Sequence, residues 1–178
     1  MKKLILGSAI LAVLGMSANA MAANSGSVSF TGAVSKATCN LSMQDAAGAN
    51  IANVDLGVLS SATGATGDGT AVTFKLVPQE TACLSEKNAT MLWTSPTLMA
   101  TGLSNAATNG TNATMILTAT NAGGNDKAIK QGNTSFDYTA AAGIKSFDFS
   151  AQLKRPATGT TLTPGAFSAT ASYVVAYK

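Results

Sequence analysis

The stretch FSATASYVVAY, residues 167–177, alternates apolar or small side chains with mostly polar ones almost to the last residue of the chain. One set of alternate residues consists of Phe167, Ala169, Ala171, Tyr173, Val175 and Tyr177. Successive side chains of a strand point to opposite faces, so this pattern predicts a β-strand with one buried face. The strand lies where most domains have a frayed tail. An ordinary edge strand of a β-sandwich is the alternative interpretation.

Similar alternating runs, bounded by Gly, Asn, Asp or Pro, recur along the rest of the chain. They predict strands at residues 28–34, 51–59, 72–78, 89–93, 114–120 and 144–153. The stretches 60–69, 101–112 and 121–133 are rich in Gly, Thr and Asn and are predicted to be surface loops. Helical periodicity is hard to find beyond residue 22. The chain is therefore predicted to be all-β, with an immunoglobulin-like β-sandwich.

The first 22 residues have the organisation of a secretory signal peptide. Lys2 and Lys3 precede an apolar run at residues 4–14, and small residues follow up to Ala22. The run is shorter than the roughly 20 residues that a membrane-spanning helix needs. Two cleavage positions fit the small-residue rule, so the mature chain begins at Met21 or Ala23, and Ala23 is preferred. We therefore expect an exported chain whose remaining residues form one domain.

Cys39 and Cys83 are the two cysteines of the sequence. In an exported chain they are predicted to form one disulfide, with two free thiols as the alternative. Their spacing differs from that of a CxxC redox motif or a zinc site. In the chain-entropy model, a bridge that closes a loop of this length stabilises the fold by roughly 4 kcal/mol.

The sequence offers little catalytic chemistry. It contains no histidine, which removes the most frequent general base and metal ligand. The eight acidic residues are scattered, without a spaced pair that is typical of a glycosidase. Once Lys2 and Lys3 are removed, basic and acidic residues nearly balance, so the charge gives no reason to expect a nucleic-acid partner. We therefore expect neither an enzyme nor a bound cofactor or metal.

The start of the mature chain is a second alternating run at a terminus. Val28 and Phe30 share one face of the predicted strand, and Gly32 takes the next position on that face. A glycine inside a strand usually marks a bulge or the close approach of another backbone. Gly32, and a last strand that runs to Tyr177 with no closing strand after it, weaken the interpretation of the two runs as ordinary edge strands.

Both ends of the chain, together with motifs between them, resemble the major pilin subunits of the chaperone–usher pathway, in particular the group around the K99 fimbrial subunit. The resembling segments are Asn24–Gly32, Ala37–Cys39, Asp55–Gly57, Phe74–Leu76, Cys83–Leu84, Thr118–Asn121, Ser146–Phe147, Ser150–Lys154 and Gly165–Tyr177. They cover essentially the whole mature chain, and their order and spacing make the resemblance specific.

The resemblance implies an incomplete sandwich that lacks its last strand and exposes an apolar groove beside its carboxyl-terminal strand. Residues 23–32 would be a donor strand, and residues 33–178 the pilin domain. Val28, Phe30 and Gly32 would enter the groove of a neighbouring copy, a form of β-strand addition. The implied groove wall consists of Phe167, Ala169, Ala171, Tyr173 and Val175, while Gly165 and Tyr177 match the family's chaperone-recognition signature. The implied partners are neighbouring copies, a periplasmic chaperone and an outer-membrane usher, and the implied location is a cell-surface fimbria.

The function is left between two main hypotheses. The chain is a structural subunit of a fimbria that mediates cell adhesion, or it is itself a lectin-like adhesin for acidic, sialylated glycolipids of a host. Lys154 and Arg155 are the candidates for binding a sialic acid carboxylate, with a solvated charge pair as the alternative. Trp93 is expected in the core rather than against a sugar. A monomeric periplasmic binding protein with a complete sandwich is a third hypothesis.

Overall fold

The computed structural model describes residues 39–178. The predicted signal peptide and the donor-strand residues Val28, Phe30 and Gly32 lie outside the described residues. In chain order the elements are β1 Leu41–Asp45, β2 Val72–Pro78, α1 Thr81–Leu84, β3 Asn88–Thr94, β4 Leu98–Met99, β5 Gly102–Ser104, β6 Thr114–Ala119, β7 Ala128–Ile129, β8 Ser135–Thr139, β9 Phe147–Lys154 and β10 Ser172–Tyr177. The described part of the chain is therefore almost entirely β-structure.

The strands form two antiparallel sheets. The larger sheet has the order β1-β2-β9-β6-β5-β4, with β7 paired to β6, and the smaller has the order β10-β3-β8. Side chains of the two sheets meet in one core. The ring of Trp93 in β3 lies 5.2 Å from that of Phe149 in β9, and Tyr138 in β8 lies 4.8 Å from Phe147. The two sheets therefore pack as a sandwich.

Strand β9 provides the centre of this core because its alternation places four apolar side chains on one face. Phe147, Phe149, Ala151 and Leu153 are all buried. Phe149 lies opposite Phe74 of β2 in the register, and the two rings stack at 5.3 Å. The period-two pattern of the sequence thus becomes an apolar layer between the sheets.

Most of the predicted alternating runs are strands, although their boundaries differ. The predictions at 72–78, 89–93, 114–120, 144–153 and 167–177 correspond to β2, β3, β6, β9 and β10. The prediction missed β1, β4 and β8. It also assigned β5 and β7 to loops. These two strands have only three and two residues, too few for an alternation to be visible.

The prediction of a strand at residues 51–59 is wrong. Its backbone meets β1 only at the beginning, where Ile51 N donates to Met43 O at 2.9 Å. Farther on, Asp55 Oδ1 accepts a hydrogen bond from Gly57 N at 2.9 Å, and Gly57 has a φ of +67°. The Asp55 side chain thus bonds to the backbone two residues farther along, and Gly57 adopts a left-handed conformation. Together they interrupt the extended conformation.

The first half of the carboxyl-terminal run is held by a loop instead of a strand. Ala106 N donates to Ser168 O at 2.7 Å, and Thr111 N donates to Ala166 O at 3.0 Å. The side chain of Asn105 donates to Ala166 O and accepts from Ser168 N, both at 2.8 Å. A side-chain amide and loop backbone therefore replace the ladder, and β10 begins only at Ser172.

The predicted disulfide between Cys39 and Cys83 is confirmed, with Cα atoms 6.0 Å apart. It joins the residue that leads into β1 to helix α1, which contains Cys83. Next to it, Asn40 donates from N and from Nδ2 to the Glu80 carboxylate at 2.8 and 2.6 Å. The bridge and these two hydrogen bonds anchor the start of β1. No helix between residues 39 and 178 is long and apolar enough to cross a membrane.

Candidate functional site

An open cleft of about 630 Å³ lies between the sheets beside β10. Six residues of the carboxyl-terminal run, 167–171 and 173, line one side of it, and Trp93 contributes from β3. Apolar residues of β1, β2, β6 and β9 line the other side, namely Met43, Phe74, Leu76, Met115, Leu117, Ala151 and Leu153. The irregular segment 52–57 borders the cleft. A cleft walled by apolar residues of two sheets fits an extended apolar segment.

A second cavity, of about 250 Å³, continues the row of lining residues toward the carboxyl terminus. Phe167, Ala169, Ala171 and Tyr173 line the first cleft, while Tyr173, Val175 and Tyr177 line the second cavity. Every second residue from 167 to 177 thus borders one of the two, and we call this set the groove wall. The groove-wall residues are those that the sequence assigned to one face. Their part in assembly stays a prediction.

Strand β10 has one open edge. It pairs with β3 alone among the described strands, with Tyr173 opposite Trp93. Tyr173 is 37% exposed although its ring lies 5.4 Å from that of Trp93. An open edge beside an apolar cleft is a template for a further strand, because its backbone groups have no ladder partner.

Gly165, predicted to take part in chaperone recognition, lies just ahead of the groove wall. Its φ is +151°, and an added Cβ would lie 2.8 Å from Thr111 N and from the carbonyl carbon of Gly110. Only glycine fits so close to a neighbouring backbone. Gly165 therefore has a structural reason to be glycine, independent of any partner.

The groove carries little charge. Among the described residues that line it, Asp55 is the single charged one. Burial raises the pKa of Tyr173, and burial together with the nearby carboxylates of Glu80 and Glu86 raises the pKa of Tyr177 to about 12. Both phenols are therefore protonated at neutral pH and are able to donate a hydrogen bond.

The predicted glycan-binding pair lies at the end of β9, where both residues hold the loop at residues 60–69. Lys154 Nζ forms an ion pair with Asp68 Oδ2 at 2.5 Å. Arg155 donates from its backbone N to Asp68 Oδ1 at 3.0 Å, from Nε to Gly67 O and from Nη2 to Ser60 O. These contacts assign the pair a role in fixing the loop, and the glycan site stays a prediction.

The residues on the far side of the groove were not predicted from the sequence. Residues of β2, β6 and β9 form it, and their alternation shows only that each strand has a buried face. Which buried residues border an unfilled space depends on the strand order, which brings residues 74, 117 and 151 together from distant parts of the sequence. A linear pattern does not contain that information.

The sequence has relatives among fimbrial proteins. The model of the family described as fimbrial protein matches residues 28–178. The chain is 35% identical over 189 residues to the K99 fimbrial protein of Escherichia coli, with 99% of each chain covered. It is 31% identical over 183 residues to the F107 fimbrial protein of Escherichia coli, with both chains covered completely.

Two solved structures share the fold. The P pilus rod subunit PapA has a TM-score of 0.56 and 21% identity, covering 86% of this chain and 100% of its own. A chain from a chaperone–usher pilus, solved to explain rod uncoiling, has a TM-score of 0.52 and 23% identity, covering 88% and 97%. These matches confirm the predicted immunoglobulin-like sandwich that lacks a strand. The chain therefore belongs to the fimbrial protein family, as a structural subunit of a cell-surface pilus.

Proposed function

We propose that the chain polymerises by strand addition, in which residues 23–32 of one copy fill the groove of the next copy beside β10. The observation that carries this proposal is the open edge of β10 above an apolar cleft of about 630 Å³. The donor segment has the matching alternation, with Val28 and Phe30 on one face. A subunit with a groove at one place and a donor segment at another forms a linear fibre, because each copy uses both.

Two kinds of interaction stabilise the inserted strand. Burial of Val28 and Phe30 contributes roughly 1.5 to 3 kcal/mol for each side chain. Hydrogen bonds between the donor backbone and the open edge of β10 hold the donor in an extended conformation. A slip by one residue would turn both side chains to solvent, so the alternation of the donor is a requirement of assembly.

The same open edge needs a partner before assembly. An unpaired apolar edge pairs readily with other chains, which leads to aggregation. We propose that a periplasmic chaperone fills the groove first and recognises Gly165 and Tyr177, and that an outer-membrane usher is the place where the donor segment replaces it. The family membership and the exposed edge support this order of events.

Lys154 and Arg155 do not support a second function. A carboxylate of a sialylated glycan would have to displace Asp68 from Lys154, and Nε and Nη2 of Arg155 already donate to the loop at residues 60–69. Since the charge of Lys154 is already paired, the described contacts favour the structural role over the lectin role.

The proposal is tested by Phe30→Asp, with Ser29→Asp as the matched control on the opposite face of the donor segment. Both variants are produced together with the chaperone and the usher, and fibres are counted by electron microscopy. Phe30→Asp is expected to abolish fibres, because it places a charge in an apolar cleft. Ser29→Asp is expected to leave them in place, because residue 29 faces away from the cleft.

The groove of the Phe30→Asp subunit is unchanged, so this subunit should still bind a synthetic peptide of residues 23–32. Peptide binding shows that the variant has folded. Normal fibres from Phe30→Asp, or fibres from a chain that lacks residues 23–32, would contradict strand addition.

A further inference from the structure

Three buried polar side-chain atoms lack a hydrogen-bond partner within residues 39–178, and two of them border the groove. They are Trp93 Nε1, Tyr138 Oη and Tyr177 Oη. Trp93 lines the larger cleft and Tyr177 the smaller cavity, whereas Tyr138 lines neither. Buried polar atoms without a partner are rare in folded proteins, because each lacks the hydrogen bonds that water would supply. Their position beside an unfilled groove indicates that the missing partner arrives with the strand.

Tyr177 is the more informative of the two groove-side donors. It is 4% exposed, and its ring packs 6.1 Å from that of Phe147, so its hydroxyl has little access to water. Glu80 and Glu86 help to keep this phenol protonated, while the carboxylate of Glu80 is taken up by Asn40. The hydroxyl of Tyr177 thus remains a donor in need of an acceptor.

The donor segment carries one polar side chain on its inward face. Counting in steps of two from Val28 and Phe30, the inward residues are Asn24, Gly26, Val28, Phe30 and Gly32. Of these, Asn24 alone has a side-chain oxygen that accepts a hydrogen bond.

The ends of the two segments indicate where Asn24 lies, because Asn24 is the first inward residue of the donor and Tyr177 is the last residue of the groove wall. All strand pairs of the described fold are antiparallel, so we place the donor antiparallel to β10. Pairing these two ends sets residues 24–32 opposite residues 169–177. This alignment sets Phe30 opposite the small side chain of Ala171 and Gly26 opposite Val175. Asn24 falls opposite Tyr177.

From this alignment we infer that the carboxamide oxygen of Asn24 in one subunit accepts a hydrogen bond from the Tyr177 hydroxyl of the next, and that this contact sets the register of the inserted strand. The inference rests on the proposed strand addition. A slip by two residues preserves the alternation, so apolar burial alone discriminates weakly against it. Such a slip brings Gly26, or no residue of the mature chain, opposite Tyr177 and leaves its hydroxyl without an acceptor.

The test is a double-mutant cycle on fibres of the full chain. Fibres of the wild type, Asn24→Ala, Tyr177→Phe and the double variant are placed in guanidinium chloride, and the rate of subunit release is measured. Asn24→Ala is expected to accelerate release about tenfold, since it leaves a buried hydroxyl unpaired. In the Tyr177→Phe background the same substitution should change the rate less than about threefold, because no hydroxyl is left to satisfy.

Tyr138→Phe is the matched control, because it removes a buried unpaired hydroxyl that lies away from the groove. Asn24→Ala should keep its full effect in that background. Equal effects of Asn24→Ala in the wild-type and Tyr177→Phe backgrounds would overturn the contact while strand addition stands. A wild-type chain that forms no fibres would overturn both.

Asn24→Leu gives a test that does not depend on a Tyr177 variant. Leucine is similar in size to asparagine but has no acceptor. If the hydroxyl contact exists, Asn24→Leu fibres release subunits faster than wild-type fibres despite the added apolar surface. Slower release from Asn24→Leu would show that an apolar pocket lies opposite residue 24 and would overturn the inference.

Discussion

Strands β9 and β10 both carry an alternating apolar face, yet they differ in what lies beside them. Strand β9 has β2 along one edge and β6 along the other, and its four inward side chains are at most 5% exposed. Strand β10 has only β3 among the described strands, and its inward Tyr173 remains 37% exposed. Alternation therefore determines which face of a strand is apolar, but the unfilled cleft beside β10 leaves part of its apolar face exposed.

This difference divides the stability of the subunit into two parts. The ring contacts of Phe147 and Phe149 in β9 are complete within one chain, so they stabilise the subunit whether its groove is empty or filled. The contacts around β10 become complete only when a strand is added, so their contribution depends on the occupant. Matched substitutions in β9 and β10 measure the two parts separately.

The largest effect is expected in β9. Phe149→Ala removes a buried ring that contacts Phe74 and Trp93, and we expect the free energy of unfolding to fall by about 3 to 5 kcal/mol. The loss should be the same with and without a saturating peptide of residues 23–32, because these ring contacts lie within one chain. Denaturation in guanidinium chloride under both conditions provides the measurement. A loss that appeared only with the peptide would contradict the division between β9 and β10.

A smaller effect, dependent on the peptide, is expected in β10. Tyr173→Ala should lower the free energy of unfolding by about 1 kcal/mol more with the peptide than without it, because the exposed third of this side chain is then also removed from water. Val174→Ala is the matched control, since Val174 lies on the opposite face of the strand, away from both cavities. Equal losses for Tyr173→Ala with and without the peptide would mean that the inserted strand does not cover this residue.

The same contrast explains how far the sequence predicted the fold. The strand at Val72–Pro78 was predicted with its observed boundaries, because its alternation is regular and proline, which cannot donate to a ladder, closes it. The prediction of a strand at residues 51–59 was wrong, because the hydrogen bond to the Asp55 side chain and the left-handed conformation of Gly57 interrupt this apolar run. Residues 167–171 have the predicted apolar face but do not pair with a neighbouring strand. The side chain of Asn105, which is distant in sequence, forms hydrogen bonds to backbone groups in and next to this segment instead.

The groove was predictable to a similar degree. The alternation gave the wall from Phe167 to Tyr177, because that wall is one continuous segment. The opposite side was not predictable, since pairing between distant strands brings Phe74, Leu117 and Ala151 together. The unpaired Tyr177 hydroxyl also has no signature in the sequence, because the lack of a partner is a property of the folded surroundings.

The smallest effect is expected at the end of β9, where Asp68 fastens the loop at residues 60–69. Hydrogen bonds from Lys154 Nζ and from Arg155 N, together with the charge of Lys154, lower the pKa of Asp68 below its usual 3.8. A lowered pKa in the folded state means that the carboxylate stabilises the fold fully above pH 3.8. The contribution is lost as the pH falls below 3.8 through the folded-state pKa. Because the pair is partly exposed, the contribution at neutral pH is at most about 1 kcal/mol.

Asp68→Asn should therefore lower the free energy of unfolding slightly at pH 7, and the difference from the wild type should shrink toward zero in acid. Denaturation at a series of pH values measures this, with Asp45→Asn as a control carboxylate that has no cation in its described contacts. Peptide saturation should leave the difference unchanged, since Asp68 lines neither cavity. A difference that grew with peptide would place the loop among the contacts of the inserted strand. The contacts that depend on the inserted strand would then include those at the end of β9 as well as those of β10.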